Sequence, residues 1–177
     1  MQSLIDDERY DEAVSRCSAL ADRGLVFPQV WLGWMHLTGR GVQQNLTTAE
    51  DWFSRAAKQG SPHGQYWLGY ICRVQHRLAE ARYWLEEAAA QGDSPSIYEM
   101  GRLYLFGEGV QRNREKAFLY FREAAKRGHL FARGEIAREL ISGRRGIRKI
   151  PAGIVEMLKV VGAAIRMGPK AEEMRRQ

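Results

Sequence analysis

The stretch FGEGVQRNREKA, Phe106 to Ala117, decides how the rest of the chain is read. At first sight it is a glycine-rich phosphate loop feeding a helix. A phosphate loop needs GxxxxGK[ST] or GxGxxG, opened by a strand and closed by a helix. Gly107 and Gly109 have no third glycine at the required distance, and no Lys-Ser or Lys-Thr follows. The preceding SIYEMGRLYL has helical apolar spacing rather than a short β-branched run. The same element occurs earlier as TGRGVQQNLTTA, Thr38 to Ala49. A motif that recurs within one chain points to repeats before catalysis.

Two sets of markers give the period. The segments SALADRG, RAAKQG, EAAAQG and EAAKRG end at Gly24, Gly60, Gly92 and Gly128, with spacings of 36, 32 and 36 residues. WLGW, WLGY, EMGR and EIAR, centred on Gly33, Gly69, Gly101 and Ala137, repeat with the same spacings. Each unit reads as helix A, loop, helix B and a short turn. In the third, Tyr98, Gly101 and Leu105 mark one face of a helix, Gly107 supplies the left-handed cap, and Asn113 caps helix B, as Asn45 does in the first. The glycines of the opening stretch therefore serve backbone geometry. The second unit is four residues short, at its loop. The fourth, with SGRRGIRKIPAGIVEML, reads as degenerate and lengthened. The chain starts on a half unit, with Tyr10 to Arg23 as a lone helix B. One repeat domain over 1–177 is expected: a half unit at 5–24, repeats at 25–60, 61–92 and 93–128, a degenerate repeat or cap at 129–168, and a basic tail at 169–177.

Composition agrees with a globular all-α chain: 177 residues, 45% hydrophobic and 27% charged. The acidic start, MQSLIDDERYDEA, is not a signal peptide, and no run approaches eighteen uncharged apolar residues. A cytoplasmic protein, possible at the membrane periphery, is the expectation, with Cys17 and Cys72 as reduced thiols in helix interiors. The net charge of +6 lies wholly in the last quarter: residues 133–177 hold eleven basic and five acidic side chains.

The pattern LGxxYxxGxGVxxxxxKAxxxFxxAAxxG resembles the SEL-one-like repeats, a subclass of tetratricopeptide-type helical repeats. The third unit carries it best, through Met100, Gly101, Tyr104, Gly107, Gly109, Val110, Lys116, Ala117, Tyr120, Ala124, Ala125 and Gly128. The first carries Leu32, Gly33, Gly39, Gly41, Val42, Ala49, Trp52, Ala56, Ala57 and Gly60. The resemblance implies a right-handed α-solenoid of antiparallel helix pairs. It also implies a scaffold or adaptor role, as in bacterial envelope, polysaccharide or signalling pathways, and no shared catalytic residues.

Chemistry-bearing motifs are sparse. His36, His63, His76 and His129 have neither HExxH spacing nor a cysteine set around them. Glu86 and Glu87 are adjacent on a helix and point different ways. No GxSxG occurs. No catalytic residue, metal or cofactor is expected. What remains is surface. If helix A lines the concave face, as the resemblance implies, a ladder of Trp34, Tyr66, Tyr70, Arg73, Tyr98, Arg102 and Arg138 faces the groove. Tyr, Trp and Arg bury large area and still hydrogen-bond, so a protein or peptide segment is the expected partner. A second candidate is the C-terminal helix after Pro151, whose Ile154, Val155, Leu158, Val161 and Ile165 form an apolar docking surface among basic residues. An anionic membrane surface or a membrane protein suits that segment, and a homo-oligomer suits the solenoid ends. Nucleic acid is disfavoured, because the body of the chain is neutral and has no RNA-binding signature.

Overall fold

The computed structural model gives the backbone of residues 2–143 and 149–176 and the side chains of 12–143 and 149–163. Among these residues all regular structure is helical. The helices are α1 (Gln2–Asp22), α2 (Val26–Thr38), α3 (Leu46–Lys58), α4 (Pro62–Val74), α5 (Leu78–Ala90), α6 (Ser94–Phe106), α7 (Arg114–Lys126), α8 (Leu130–Ile141) and α9 (Ile150–Arg176). Four pairs form: α2 with α3, α4 with α5, α6 with α7, and α8 with α9. The lone helix B at the start is α1, packed on α2. Contacts divide the chain into two compact units, Met1–Asp93 and Ser94–Gln177.

The repeated motif is a set of hydrogen bonds written in sequence. At each AAxxG, the glycine takes a positive φ: 82° at Gly60, 85° at Gly92 and 87° at Gly128. That turn lets the next residue's N–H reach back to the first alanine, as Ser61 does to Ala56, Asp93 to Ala88 and His129 to Ala124. Orphan carbonyls at the helix end are thereby satisfied. At the A–B loop, Gly39 and Gly107 stop helix A with φ of 73° and 79°. The N–H of Asn45 then closes the loop on the His36 carbonyl, and that of Asn113 on Tyr104. Each asparagine side chain caps helix B, accepting from the N–H of Thr48 or Lys116. The short second repeat, within the first unit, closes on the equivalent carbonyl. Arg77 N–H donates to Cys72, and His76 takes the left-handed turn at φ 60°.

Packing follows the small residues. A Cβ at Gly33 or Gly101 would fall 2.7 Å from the Phe53 ring and 2.5 Å from the Phe121 ring. These glycines let an aromatic ring of helix B lie directly on helix A. A glutamine ladder ties the pairs of the first unit. Buried Gln29 donates to the Ala21 carbonyl and accepts from Gln59. Gln65, also buried, accepts from Gln91, and its amide reaches towards the Ala57 carbonyl at 3.5 Å. The equivalent positions in the second unit are Ile97 and Arg133, so the ladder stops.

The fourth repeat differs from its sequence reading. Gly153 follows Ala137 by the same sixteen residues that separate Gly101 from Ala117. Gly143 takes the αL turn of Gly107, with φ 72°. Nothing has been added between the two helices. What has changed is the end of helix B. Ala164 stands where Gly60 and Gly128 stop α3 and α7. With no residue suited to the αL turn, the helical backbone runs on to Arg176, through the stretch first read as a separate basic tail.

Candidate functional site

In the first unit the helix-A candidates are largely spent on packing. Trp34 and Tyr70 lie half-buried against the core cluster of Ala49, Phe53, Leu68 and Ile71. Trp67, which the sequence reading passed over, stacks on Phe53 at 5.9 Å between centroids. Tyr66 and Tyr70 meet the Trp67 ring edge-on at 5.0 and 5.9 Å. The Arg73 guanidinium lies 5.6 Å from the Tyr70 ring centroid and that of Arg40 5.1 Å from Trp34, both within cation–π range. The solvent side of this face is thus aromatic, with arginines laid over the rings.

The second unit presents a different chemistry at the same positions. Tyr98 is half-buried, stacked on His129 at 4.5 Å and in contact with Phe121 at 5.6 Å. Burial, and then the neighbouring Glu135 charge, hold its phenol above the usual range. Arg102 pairs with Glu99 at 3.3 Å. Exposed Arg138 forks onto both oxygens of Glu135, at 2.7 and 2.8 Å. Counting from each helix-A marker, the positions two before and one after are Trp31 and Trp34, Trp67 and Tyr70, Glu99 and Arg102, Glu135 and Arg138. Two aromatic pairs are followed by two i,i+3 ion pairs. The glutamates fall outside the positions three before, one after and four after each marker that the groove reading uses; the alternation is visible once the position two before the marker is read down the repeats.

The C-terminal candidate is exposed. Ile154, Val155, Leu158 and Val161 are 49%, 50%, 65% and 48% accessible, while the Ile165 side chain lies outside the described residues. The opposite side of α9 packs on α8, where Gly153 is buried and Glu156 pairs with Arg133 at 2.7 Å. That hydrogen bond holds the Glu156 carboxyl below its usual range. Ile154, Leu158 and Val161 take the register of Phe118, Arg122 and Ala125 on α7, which border α8. The exposed stripe is therefore the side on which a helix B elsewhere receives its next neighbour.

Among the described residues no three His, Cys, Asp or Glu side chains gather as a metal site requires, and no helix is long and apolar enough to cross a membrane. Burial raises the Cys72 thiol above its ordinary range, away from the thiolate a nucleophile needs. The class so defined is a helix-pair repeat protein of the solenoid type, whose distinctive side chains lie on faces.

Residues 29–61, 62–93 and 94–129 each match the Sel1 repeat, and the chain belongs to that family. The Sel1 repeat protein of Oxalobacter formigenes is similar in structure, with a TM-score of 0.75 and 26% identity over 85% of this chain and 64% of that one. A protective antigen of uropathogenic Escherichia coli with the SLR fold gives 0.72 and 24% identity over 86% of this chain and 34% of its own. The immunity protein Pa5087 of Pseudomonas aeruginosa gives 0.60 and 22% over 81% and 56%; these last two likenesses speak to fold alone. In sequence, an uncharacterized protein of Neisseria meningitidis serogroup B is 32% identical over 130 residues, 69% of this chain. The chain spans about a quarter of that relative's length. Sel1 repeats are generally modules of protein–protein interaction, and this chain is placed among them.

Proposed function

We propose that this protein is a non-enzymatic adaptor that holds a peptide or protein segment along its helix-A faces. The observation that carries the reading is the set of partly or fully exposed aromatic and arginine side chains at matched positions: Tyr66, Tyr70 and Arg73 in the first unit, Tyr98, Arg102 and Arg138 in the second. Such residues dominate binding hot spots, and core packing alone gives no reason for arginine at three of them. A bacterial envelope, polysaccharide or signalling pathway is the setting that the family resemblance implies.

A second reading rests on the α9 stripe, through which the protein docks to a membrane protein or an anionic surface. One experiment separates the two. Partners are captured from source lysate with the native chain, with Tyr70→Ala/Arg102→Ala, and with Leu158→Asp. The adaptor reading expects a protein retained by the native chain and by Leu158→Asp but lost by the double variant, all three with equal helicity. Retention by the folded double variant and loss by Leu158→Asp would move the function to α9.

A further inference from the structure

The change from aromatic to ionic pairs has a local result within the second unit. In the first unit, Trp67 of α4 covers Phe53 of α3, and Ile71, one turn on, is buried beside it. The matching residues of α8 are Glu135 and Glu139, over Phe121 of α7. Tyr66 and Tyr70 are likewise replaced, by Gly134 and Arg138. The apolar wedge is missing. In its place is a cavity of about 200 Å³ between the end of α6, the loop before α7, α7 itself and α8. Its apolar walls are Leu105, Phe106, Phe118 and Phe121. An apolar cavity on the order of 150 Å³ holds a benzene ring, so the space suits one aromatic side chain.

The rim supplies the rest of the recognition. Arg112, Arg114 and Arg138 stand around the cavity with Glu135 and Glu139. Glu135 is already matched by Arg138. Arg112 spends its Nε–H on the Leu105 carbonyl, which fixes the side chain at the mouth and leaves its terminal nitrogens free of that bond. Exposed Arg114 makes none of the described hydrogen bonds or ion pairs. The cations are therefore in excess, and carboxylates beside an inserted ring would meet guanidinium donors, the strong charge-assisted case.

We infer that this cavity is an anchor site for an aromatic side chain flanked by acidic residues, presented by a partner peptide in place of the tryptophan that the first unit supplies from its own α4. The inference rests on the adaptor reading and adds the chemistry of the segment bound. The anchor gains area by filling a preformed space; the flanking acids set specificity.

The test uses fluorescein-labelled Asp-Glu-Trp-Asp-Glu, capped at both ends, and anisotropy with the full chain. Saturable binding is expected, weakened at least tenfold when the peptide tryptophan becomes alanine or its acids become lysines. Glu135→Trp/Arg138→Tyr, which rebuilds the first unit's wedge in the second, should abolish binding while helicity and Tm are kept or raised. Should that variant fold poorly, Arg112→Glu/Arg114→Glu changes only exposed rim residues and is expected to lose binding as well. Absence of binding to the native chain, equal binding of the alanine peptide, or undiminished binding by either folded variant overturns the proposal. If the wedge variant still captures the lysate partner that Tyr70→Ala/Arg102→Ala loses, the adaptor reading stands and the cavity is not its anchor.

Discussion

Glycine positions divide sharply by what surrounds them. At Gly101 an added methyl would meet the Phe121 ring at 2.5 Å, in a helix interior with no room to move. Gly101→Ala is expected to cost about 1–3 kcal/mol, the usual range for overpacking, and to lower the Tm accordingly. At Gly134 a Cβ meets nothing within 4 Å, and the residue sits in α8 with helical backbone. Gly134→Ala should therefore stabilise by about 0.5–1 kcal/mol, through helix propensity. Thermal melts of the two variants check both signs at once; a stable Gly101→Ala would contradict the ring-on-backbone packing. These roles were partly legible in sequence. The marker glycines announced close approach by recurring, but a lone Gly134 carries no sign of whether its Cβ space is filled.

At the scale of the element, α8 buries little, and a charged pair joins it to α9 beside the close approach of Gly153 to Leu140 and Ile141. On α8 only Ala132 and Ala137 are buried, against six residues on α4. Arg133 and Glu156 bridge the two helices, with side chains 31% and 25% accessible. The Glu156 pKa is depressed in the folded state, first by the Arg133 hydrogen bond. Its contribution is therefore present above the unfolded carboxyl pKa, near 4.3, and is lost as pH falls through the lower folded value. Native protein should be more stable than Glu156→Gln at pH 7, and the difference should shrink as pH falls below the unfolded carboxyl range and vanish once the folded carboxyl is protonated. A difference that persists there would show that the side chain acts by shape, not charge. Helix starts, stops and caps were readable because they depend on local residues such as Asn45, Asn113 and Gly107. The cavity was not, because it is defined by Trp67 and Ile71 being absent from α8, and an absence is seen only when repeats are laid over one another.

For the whole molecule, the two units should differ in stability. Repeat arrays are held by interfaces between neighbouring repeats. In the first unit Gln65 of α4 reaches towards the Ala57 carbonyl of α3 and Arg77 bridges to Glu50, both between successive pairs, while the Gln29–Gln59 and Gln65–Gln91 bonds close each pair on itself. The second has an open cavity and a lightly buried α8. All five tryptophans, at 31, 34, 52, 67 and 84, lie in the first unit. Urea unfolding followed by tryptophan emission should therefore have its midpoint at higher denaturant than unfolding followed by helical circular dichroism. Coincident curves would mean one cooperative block. Fold class was legible from the period alone, because two independent markers shared it; this division was not, since it depends on side chains such as Gln65 finding partners on other helices, at Ala57 and Gln91.

One further consequence belongs to Ala164. After α3, α5 and α7 the glycine turns the chain in the left-handed region. In α9 that turn is absent, and the helix continues twelve residues past the position, about 18 Å at 1.5 Å per residue. The stop that closes α3, α5 and α7 is thus missing from α9, whose backbone stays helical where theirs reverses. Ile154, Leu158 and Val161 therefore stand exposed on a helix of 27 residues, against 13 in each of those three.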